Sequence, residues 1–205
     1  MNKSRLRQLA LARRKNVSER IFALLNEELQ QEFMDFITSF QQPRMIMSFQ
    51  PIVERKEVQM EAIHDTLWSL GHQLCFPRVE NEHSMIAYEI KKGEPLITSA
   101  WGIQEPNPQT NIKTPSVAID LLIIPLLAFD THGNRVGYGK GFYDRFLREC
   151  RPDAIKLGVC LDEAVQRIDD VESHDIPLDL CITPMGIHLF DGFYQKNPFD
   201  SEFKP

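Results

Sequence analysis

The residues best suited to chemistry in this sequence are glycines that alternate with larger side chains. Residues 137–141 run Gly-Tyr-Gly-Lys-Gly, and Arg135 stands shortly before them. Missing side chains let the backbone approach a ligand closely and present its N–H groups to it. Arg135 and Lys140 add formal positive charge at the same place. The pattern therefore predicts a loop that binds an anion, such as a phosphate group.

The segments on either side of this loop support the prediction. Residues 121–124 are a short apolar run, half of it β-branched, which is typical of a strand covered on both faces. From Phe142 the apolar residues recur at intervals of four, as on an amphipathic helix. A loop that runs into a helix N-terminus favours anions, because free N–H groups and the positive end of the helix dipole point the same way. The glycine spacing alone equally favours a tight strand-to-helix connection, and it matches neither the P-loop nor the dinucleotide fingerprint.

The composition is typical of a single globular domain. The chain has 205 residues, of which 42% are hydrophobic and 25% charged. Its net charge of −6 gives no overall attraction to nucleic acid, so local groups must hold any anion. Four cysteines without a C-x-x-C pair favour reduced thiols over a zinc site, and no apolar run is long enough to cross a bilayer or form a signal peptide. We expect a cytoplasmic monomer without nucleic-acid or membrane partners.

The order of predicted elements indicates the fold class. Strands are predicted over residues 45–49, 72–77, 84–89, 121–124, 154–160 and 180–183. Helices are predicted over 2–14, from the N-cap Ser18 to 40, over 57–70 and from 142, with a short helix or turn over 164–168. The faces predicted to point inward carry Ile21, Leu24, Leu25 and Leu29 on the second helix and Val58, Ala62, Ile63 and Leu67 on the third. Because strands alternate with helices, we predict an α/β fold, a three-layer α/β/α domain with a mostly parallel central sheet over 1–190, followed by a polar tail over 191–205.

The stretch from Asp120 to Leu147 resembles the signature of the 5-formyltetrahydrofolate cyclo-ligase family. In that family a strand ending in Asp-x-x-x-x-Pro is followed by Asn/Arg-x-Gly-x-Gly-x-Gly-x-Tyr-Asp, and the loop binds the phosphates of ATP and the folate. The resemblance implies that Arg135 and Lys140 are the catalytic cations. The ATP-binding residues it implies here are Arg135, Val136, Gly137, Tyr138, Gly139, Lys140, Gly141, Phe142 and Tyr143. The folate contacts it implies in the loop are Tyr138, Gly139, Lys140, Gly141 and Phe142.

The resemblance extends to the first helix, where the family has a Lys-x-x-x-Arg motif. Lys3 and Arg7 match this motif, and with Arg14 they fall on one helix face at about 100° per residue. The resemblance implies that Arg7 also reaches the folate. The ATP-binding residues it implies on this helix are Lys3, Ser4, Arg5, Leu6 and Arg7. From the residues alone, a solvated basic helix is the simpler interpretation.

Two further segments match the parts of the family that contact the folate. After the strand at 45–49, the resemblance implies contacts from Phe49 and from Glu54, which is otherwise a solvated loop carboxylate. The segment Trp-Gly-Ile-Gln-Glu-Pro at 101–106 resembles the family's Trp-x-Ile-x-Glu-Pro. It implies that Trp101 stacks on a flat ring of the folate, although a packed surface tryptophan is the alternative.

The position of Asp144 indicates a metal ion. In the first turn of the helix after the loop, a carboxylate suits the helix dipole but repels phosphate unless a cation lies between them. We therefore predict that Asp144 binds Mg²⁺. The resemblance implies a second ligand in the His-Asp-x-x-x-Asp segment, which we match to Asp175, with Asp179 as the second choice. Both aspartates are otherwise ordinary turn residues.

The activity that the resemblance implies is the ATP-dependent cyclisation of 5-formyltetrahydrofolate, with or without a polyglutamate tail, to 5,10-methenyltetrahydrofolate. ATP and Mg²⁺ are the implied cofactors, and ADP and phosphate are released. Two other classes remain open. A sugar-phosphate isomerase or CoA-transferase-like enzyme of similar architecture would use a general base or a Glu nucleophile and turn over without ATP. A protein that only binds a nucleotide or a folate would form no product.

Overall fold

The computed structural model describes residues 1–40, 42–99 and 102–196. Its helices are α1 (Lys3–Asn16), α2 (Glu19–Ile37), α3 (Glu61–Ser69), α4 (Phe142–Leu147) and α5 (Asp191–Lys196), with 3-10 helices at Val53–Arg55 and Ser116–Ala118. Its strands are β1 (Met45–Met47), β2 (Gln73–Val79), β3 (Met85–Ile90), β4 (Ile97–Thr98), β5 (Gln104–Glu105), β6 (Lys113–Thr114), β7 (Leu121–Pro125), β8 (Ala128–Phe129), β9 (Arg135–Val136), β10 (Ile155–Val159), β11 (Leu180–Thr183) and β12 (Gly186–Leu189). No helix in these ranges is long and apolar enough to span a membrane.

Eight strands form one sheet in the order β12-β11-β10-β7-β1-β2-β3-β6. The five middle strands, from β11 to β2, are parallel to one another, and the strands at both edges are antiparallel. The predicted α/β fold with a mostly parallel sheet is confirmed. Since parallel strands align their carboxyl ends, everything that follows β1, β7 and β10 meets at one edge, where such sheets bind ligands.

Successive residues of β7 point to opposite faces of the sheet, which makes three layers. Leu121 and Ile123 pack in one apolar cluster with buried residues of α2, α3 and α5. Leu122 and Ile124 pack in a second cluster on the other face, together with Phe146 of α4. These four residues are at most 1% exposed. The central strand is therefore fixed from both sides, as its apolar run predicts.

Several predicted details of the helices are wrong. Ile21 and Leu24 are each 47% exposed, because α2 turns a neighbouring stripe toward the sheet. That stripe consists of Phe22, Asn26, Leu29, Phe33, Phe36 and Ile37. Asn26 belongs to it because its Oδ1 accepts a hydrogen bond from the backbone N–H of Gln59 at 2.7 Å. The third helix begins at Glu61 rather than at 57, and Ala62 is exposed.

The C-terminal half also departs from the prediction. Residues 164–168 form no helix; Val165 instead makes an isolated parallel bridge to Asp130. The strand Gly186–Leu189 was not predicted. The predicted boundary at residue 190 falls immediately before α5, whose Phe193 is only 6% exposed and packs in the first apolar cluster. Residues 197–205 lie outside the described residues.

A buried histidine makes the stability of this fold dependent on pH. His64 is 4% exposed, its Nε2 lies 2.7 Å from Ser48 Oγ, and its ring packs against Trp68 and Phe76. Burial lowers the pKa of His64 from 6.5 to about 4. Between these values the unfolded chain binds a proton that the folded protein does not, so acidification favours unfolding. We expect the free energy of unfolding to fall by about 2 to 3 kcal/mol from this group between pH 7 and pH 4.5.

Urea denaturation of wild type and of His64→Gln at the two pH values measures this contribution. Gln keeps a polar group near Ser48 but does not titrate. The variant should therefore lose less stability on acidification than wild type, by about 2 kcal/mol or more. Equal losses in the two proteins would contradict the assignment to His64.

Candidate functional site

The segment between β7 and α4 starts with a hairpin that one carboxylate organises. Asp130 is fully buried, and its Oδ1 accepts hydrogen bonds at 3.0 Å from the backbone N–H groups of His132 and Asn134. Its Oδ2 accepts another from Ile168 N, also at 3.0 Å. Strands β8 and β9 pair on either side of this turn. The turn therefore fixes the direction in which β9 delivers Arg135 to the loop.

The three glycines of the loop serve different purposes. Gly139 and Gly141 have φ values of 88° and 67°, a conformation that other residues rarely adopt. A Cβ on Gly139 would also lie 3.2 Å from a guanidinium nitrogen of Arg7, and one on Gly141 would lie 2.8 Å from Nη1 of Arg145. Gly137 has no positive φ, and nothing lies within 4 Å of the position of a Cβ there. The loop is thus shaped by two glycines and closely approached by two cations.

Helix α1 lies against this loop. Arg7 Nε donates to the carbonyl oxygen of Gly137 at 2.9 Å, and Lys3 forms an ion pair with Asp175. Leu6 is buried in a small apolar cluster with residues of β8 and β9, while Ser4 and Arg5 are exposed. The structure therefore brings Arg7 to the loop, pairs Lys3 with Asp175 of the segment before β11, and gives Leu6 a packing role.

Arg135 is paired with the carboxylate predicted to bind metal. Its side chain is 7% exposed, and its Nη2 lies 2.7 Å from Asp144 Oδ1. Its Nη1 donates to the carbonyl oxygen of Ile176, whose backbone N–H donates to the same Asp144 oxygen at 3.2 Å. Burial lowers the pKa of Arg135, and the nearby Asp144 acts in the opposite direction. Arg135 thus locks the start of α4 to the segment that carries Asp175.

Asp144 pairs with Arg135 and Asp175 pairs with Lys3, and both carboxylates could contribute oxygen ligands. Burial raises the pKa of Asp175, but hydrogen bonds from the Glu172 backbone and from Lys3 outweigh this and lower it. Within the described ranges, no group of three or more His, Cys, Asp or Glu side chains could hold a metal ion. Two carboxylates nevertheless fit Mg²⁺, which proteins commonly bind through one or two carboxylates together with substrate phosphates.

Asp179, the second choice for the second metal ligand, instead pairs with two lysines in the structure. It is 2% exposed, and its Oδ2 accepts hydrogen bonds at 2.7 Å from Lys196 Nζ and from the backbone N–H of Lys156. Lys156 Nζ lies 3.0 Å from the same oxygen. Asp179 therefore ties α5 to the start of β10, and the geometry supports Asp175 over Asp179 as the partner of Asp144.

The residues matched to the folate site are not all brought together. Glu54 is exposed in the first 3-10 helix, and Phe49 is 4% exposed within the apolar core. Trp101 lies outside the described residues. Sequence reasoning missed Glu57, a carboxylate only 5% exposed, which accepts hydrogen bonds from the Ile52 backbone at 2.7 Å and from the Tyr138 hydroxyl. One feature of the sequence could have indicated that Glu57 is buried: it directly precedes Val58, the first inward residue of the predicted third helix.

Lys140 is the exposed cation of the loop. Its ammonium group has no ion pair or hydrogen bond with any part of the chain that the structure describes, while its carbonyl oxygen accepts a hydrogen bond from Arg145 at 2.8 Å. Lys3, Arg7 and Arg135 all have partners. Lys140 is therefore the loop cation that is available to an incoming ligand without breaking an existing contact.

Comparison with known proteins identifies this arrangement. The family model of the 5-formyltetrahydrofolate cyclo-ligase family matches residues 1–184. A Mycolicibacterium smegmatis protein named 5-formyltetrahydrofolate cyclo-ligase is 28% identical over 187 residues, which cover 89% of this chain and 94% of that protein. A Schizosaccharomyces pombe protein named probable 5-formyltetrahydrofolate cyclo-ligase is 32% identical over 143 residues, 63% of this chain and 70% of that protein.

A solved structure extends the similarity to the whole fold. The NMR structure of Aquifex aeolicus 5,10-methenyltetrahydrofolate synthetase superposes with a TM-score of 0.79 at 26% identity. The superposition covers 100% of this chain and 97% of that one. Both the sequence match and the fold agree with the resemblance carried by residues 120–147. The chain belongs to the 5-formyltetrahydrofolate cyclo-ligase family.

Proposed function

We propose that this protein uses ATP to cyclise 5-formyltetrahydrofolate to 5,10-methenyltetrahydrofolate, with release of ADP and phosphate. The observation that carries the proposal is the meeting of α1 with the glycine loop at the carboxyl end of β7. There Arg7 contacts Gly137 and Lys3 pairs with Asp175, in a chain that belongs to this family. We further propose that the protein acts as a monomer in the cytoplasm, where its four cysteines stay free thiols.

The reaction needs positioning and charge neutralisation more than a nucleophilic side chain. The formyl oxygen is a poor leaving group, so it is first phosphorylated by the γ-phosphoryl group of ATP. The folate N10 then attacks the formyl carbon and loses its proton, and phosphate departs with the oxygen. Phosphoryl transfer of this kind is accelerated by cations and N–H donors held around the transferring group. Lys3, Arg7, Arg135 and Lys140 supply the cations, and the backbone of residues 137–141 supplies donors.

Asp144 and Asp175 are the residues that would hold Mg²⁺. When bound, the ion supplies positive charge that neutralises phosphate oxygens. Asp144 already pairs with Arg135, and Asp175 already pairs with Lys3. Positive and negative groups therefore alternate at this part of the site, where the ion and the phosphates would bind. The remaining residues of the loop, including Val136, Phe142 and Tyr143, are proposed to shape the nucleotide site.

The folate is proposed to bind between the loop and the segment after β1. Glu57 can accept hydrogen bonds from the N–H groups of a pterin ring, since its carboxylate is buried beside Tyr138. Phe49, Glu54 and Trp101 stay predicted contacts of the substrate. Each Glu57 oxygen accepts one hydrogen bond, from Tyr138 or from Ile52, and keeps a second lone pair for a ligand. A buried carboxylate of this kind beside the glycine loop suits a ligand with a donor-rich ring and suits a sugar phosphate less well.

One assay tests the proposal. Purified protein is mixed with MgATP and 5-formyltetrahydrofolate, and methenyl absorbance and ADP are followed together. We expect both products in equal amounts, and neither when ATP is left out. Methenyl formation without ATP would favour an isomerase or transferase mechanism, and tight binding without any product would favour a binding protein.

The role of Asp144 is tested by Asp144→Asn. Asn keeps an oxygen that can accept the hydrogen bonds of Arg135 and Ile176, so the fold should survive. Loss of one anionic ligand should raise the Mg²⁺ concentration needed for half-maximal rate by about tenfold or more and lower turnover. Asp65→Asn, at a carboxylate that is 62% exposed and pairs with Lys92, is the control. An unchanged Mg²⁺ titration in Asp144→Asn would remove Asp144 from the metal site.

A further inference from the structure

A buried cation at the end of α1 lies beside the Tyr138 side chain. Arg14 is 8% exposed, and its Nη2 donates to the carbonyl oxygen of Leu126 at 2.6 Å. Its Nη1 lies 3.4 Å from the hydroxyl oxygen of Tyr138. Leu126 directly follows β7, so the guanidinium is fixed at the carboxyl end of the central strand. Burying a charge destabilises the fold unless neighbouring groups pair with it or accept its hydrogen bonds, so the partners of Arg14 matter.

The Tyr138 hydroxyl connects Arg14 with the buried carboxylate of Glu57. Burial raises the pKa of Tyr138, and the charge of Glu57 raises it further, so the hydroxyl keeps its proton. It donates that proton to Glu57 Oε1 and turns its oxygen lone pairs toward Arg14. The other carboxylate oxygen of Glu57 accepts from Ile52 N. The orientation of Glu57 is therefore set by Tyr138 on one side and by the backbone on the other.

The same helix also contacts the nucleotide side of the loop. Arg7 precedes Arg14 by two helical turns, about 10 Å, on the same face. Arg7 donates to the backbone of Gly137, and Arg14 reaches the side chain of the next residue, Tyr138. One rigid helix thus contacts the loop at two adjacent residues. A shift of α1 must change the position of Tyr138 and, through it, of Glu57.

We infer that Arg14 is a positioning residue that couples nucleotide binding at Lys3 and Arg7 to folate binding at Glu57. The inference rests on the proposed function. Phosphates held by Lys3 and Arg7 fix α1 on the loop, and Arg14 then holds Tyr138 and Glu57 in the arrangement that the folate requires. The folate binds more tightly to the nucleotide-loaded protein than to the free protein. Because coupling between two ligands is reciprocal, the folate strengthens nucleotide binding by the same factor.

Calorimetric titration of 5-formyltetrahydrofolate, with and without a saturating non-hydrolysable ATP analogue and Mg²⁺, measures this coupling. In wild type the analogue should strengthen folate binding about fivefold or more. In Arg14→Gln and Tyr138→Phe the gain should drop below about twofold. Arg13→Gln is the matched control, because Arg13 directly precedes Arg14 in the helix, its side chain is 66% exposed, and its ion pair within the described residues is with Asp162. It should keep the wild-type gain.

Tyr138→Phe removes a single oxygen atom, so it tests the link even if Arg14→Gln fails to fold. A purely structural role of Arg14 would lower the melting temperature and leave the ratio of the two folate affinities unchanged. A wild-type ratio in Tyr138→Phe, or in folded Arg14→Gln, overturns the inference. So does a wild-type enzyme that forms the methenyl product but shows no coupling. A wild-type protein that forms no methenyl product contradicts the proposed function itself, and this inference with it.

Discussion

Asp130→Ala is expected to lower the free energy of unfolding by about 4 kcal/mol. The fully buried carboxylate accepts hydrogen bonds from three backbone N–H groups and from the Asn134 side chain. Removing it leaves the buried donor Ile168 N and the partly buried donors of His132 and Asn134 without this partner. Each loss at a buried donor costs about 1 to 3 kcal/mol. For a chain of this size the melting temperature should drop by about 10 °C. Thermal and urea denaturation measure both quantities.

Two further variants sharpen this test. Asp130→Asn keeps an acceptor for part of the network and should lie between wild type and Asp130→Ala. Asp153→Ala removes a carboxylate that is 69% exposed and pairs with Arg151, and it should change stability by less than about 0.5 kcal/mol. If Asp130→Ala were as stable as Asp153→Ala, the hairpin would not depend on this carboxylate, and the position of Arg135 would need another explanation.

Lys140→Met is expected to lower kcat/KM by about 10- to 100-fold while the melting temperature stays nearly unchanged. The ammonium group is exposed and has no partner in the described chain, so its removal should cost little stability. At the transition state it would form a charge-assisted hydrogen bond worth about 1.5 to 3 kcal/mol, and ~1.4 kcal/mol corresponds to a factor of ten in rate. Steady-state kinetics with MgATP and 5-formyltetrahydrofolate, together with melting curves, measure both effects.

Lys91→Met provides the comparison, because Lys91 is also exposed and lies in the turn after β3. Its kinetic constants should equal those of wild type. Activity of Lys140→Met within about twofold of wild type would show that Lys140 is only solvated. The charge on the transferring group would then have to come from Arg135 or from α1.

Local features of the fold and site were predictable from the sequence. Ser18 caps α2 by accepting a hydrogen bond from Ile21 N at 3.3 Å, as its residue type predicts. Gly139 and Gly141 adopt the left-handed conformation that glycine-rich loops require. In each case the physical cause lies within a few residues of the position, so the sequence contains it directly.

Features that depend on distant partners were not predictable in this way. Glu54 and Glu57 are equally plausible carboxylates in the sequence, and only contact with Tyr138, 81 residues away, distinguishes them. The inward face of α2 differs from the predicted one for a similar reason. Ile21 and Leu24 satisfy a helical apolar period, but β11 and α3 select the neighbouring stripe. Asp179 has the residue type of a metal ligand, and its structural role becomes visible through its ion pairs with Lys156 and Lys196.

The ion pair between Lys3 and Asp175 has a consequence for how the protein is made. Its two partners are separated by 172 residues along the chain. During synthesis, α1 leaves the ribosome long before the segment that carries Asp175, so for most of translation its basic face has nothing to pair with. Contacts of such long range also form late in folding, because the entropy of closing the intervening loop must be offset first. Strands β11 and β12 and helix α5 also follow Asp175 in the chain, so one edge of the sheet and the proposed phosphate site are completed at the same late stage. A ribosome-bound chain that ends before Asp175 should therefore lack both that sheet edge and a competent site.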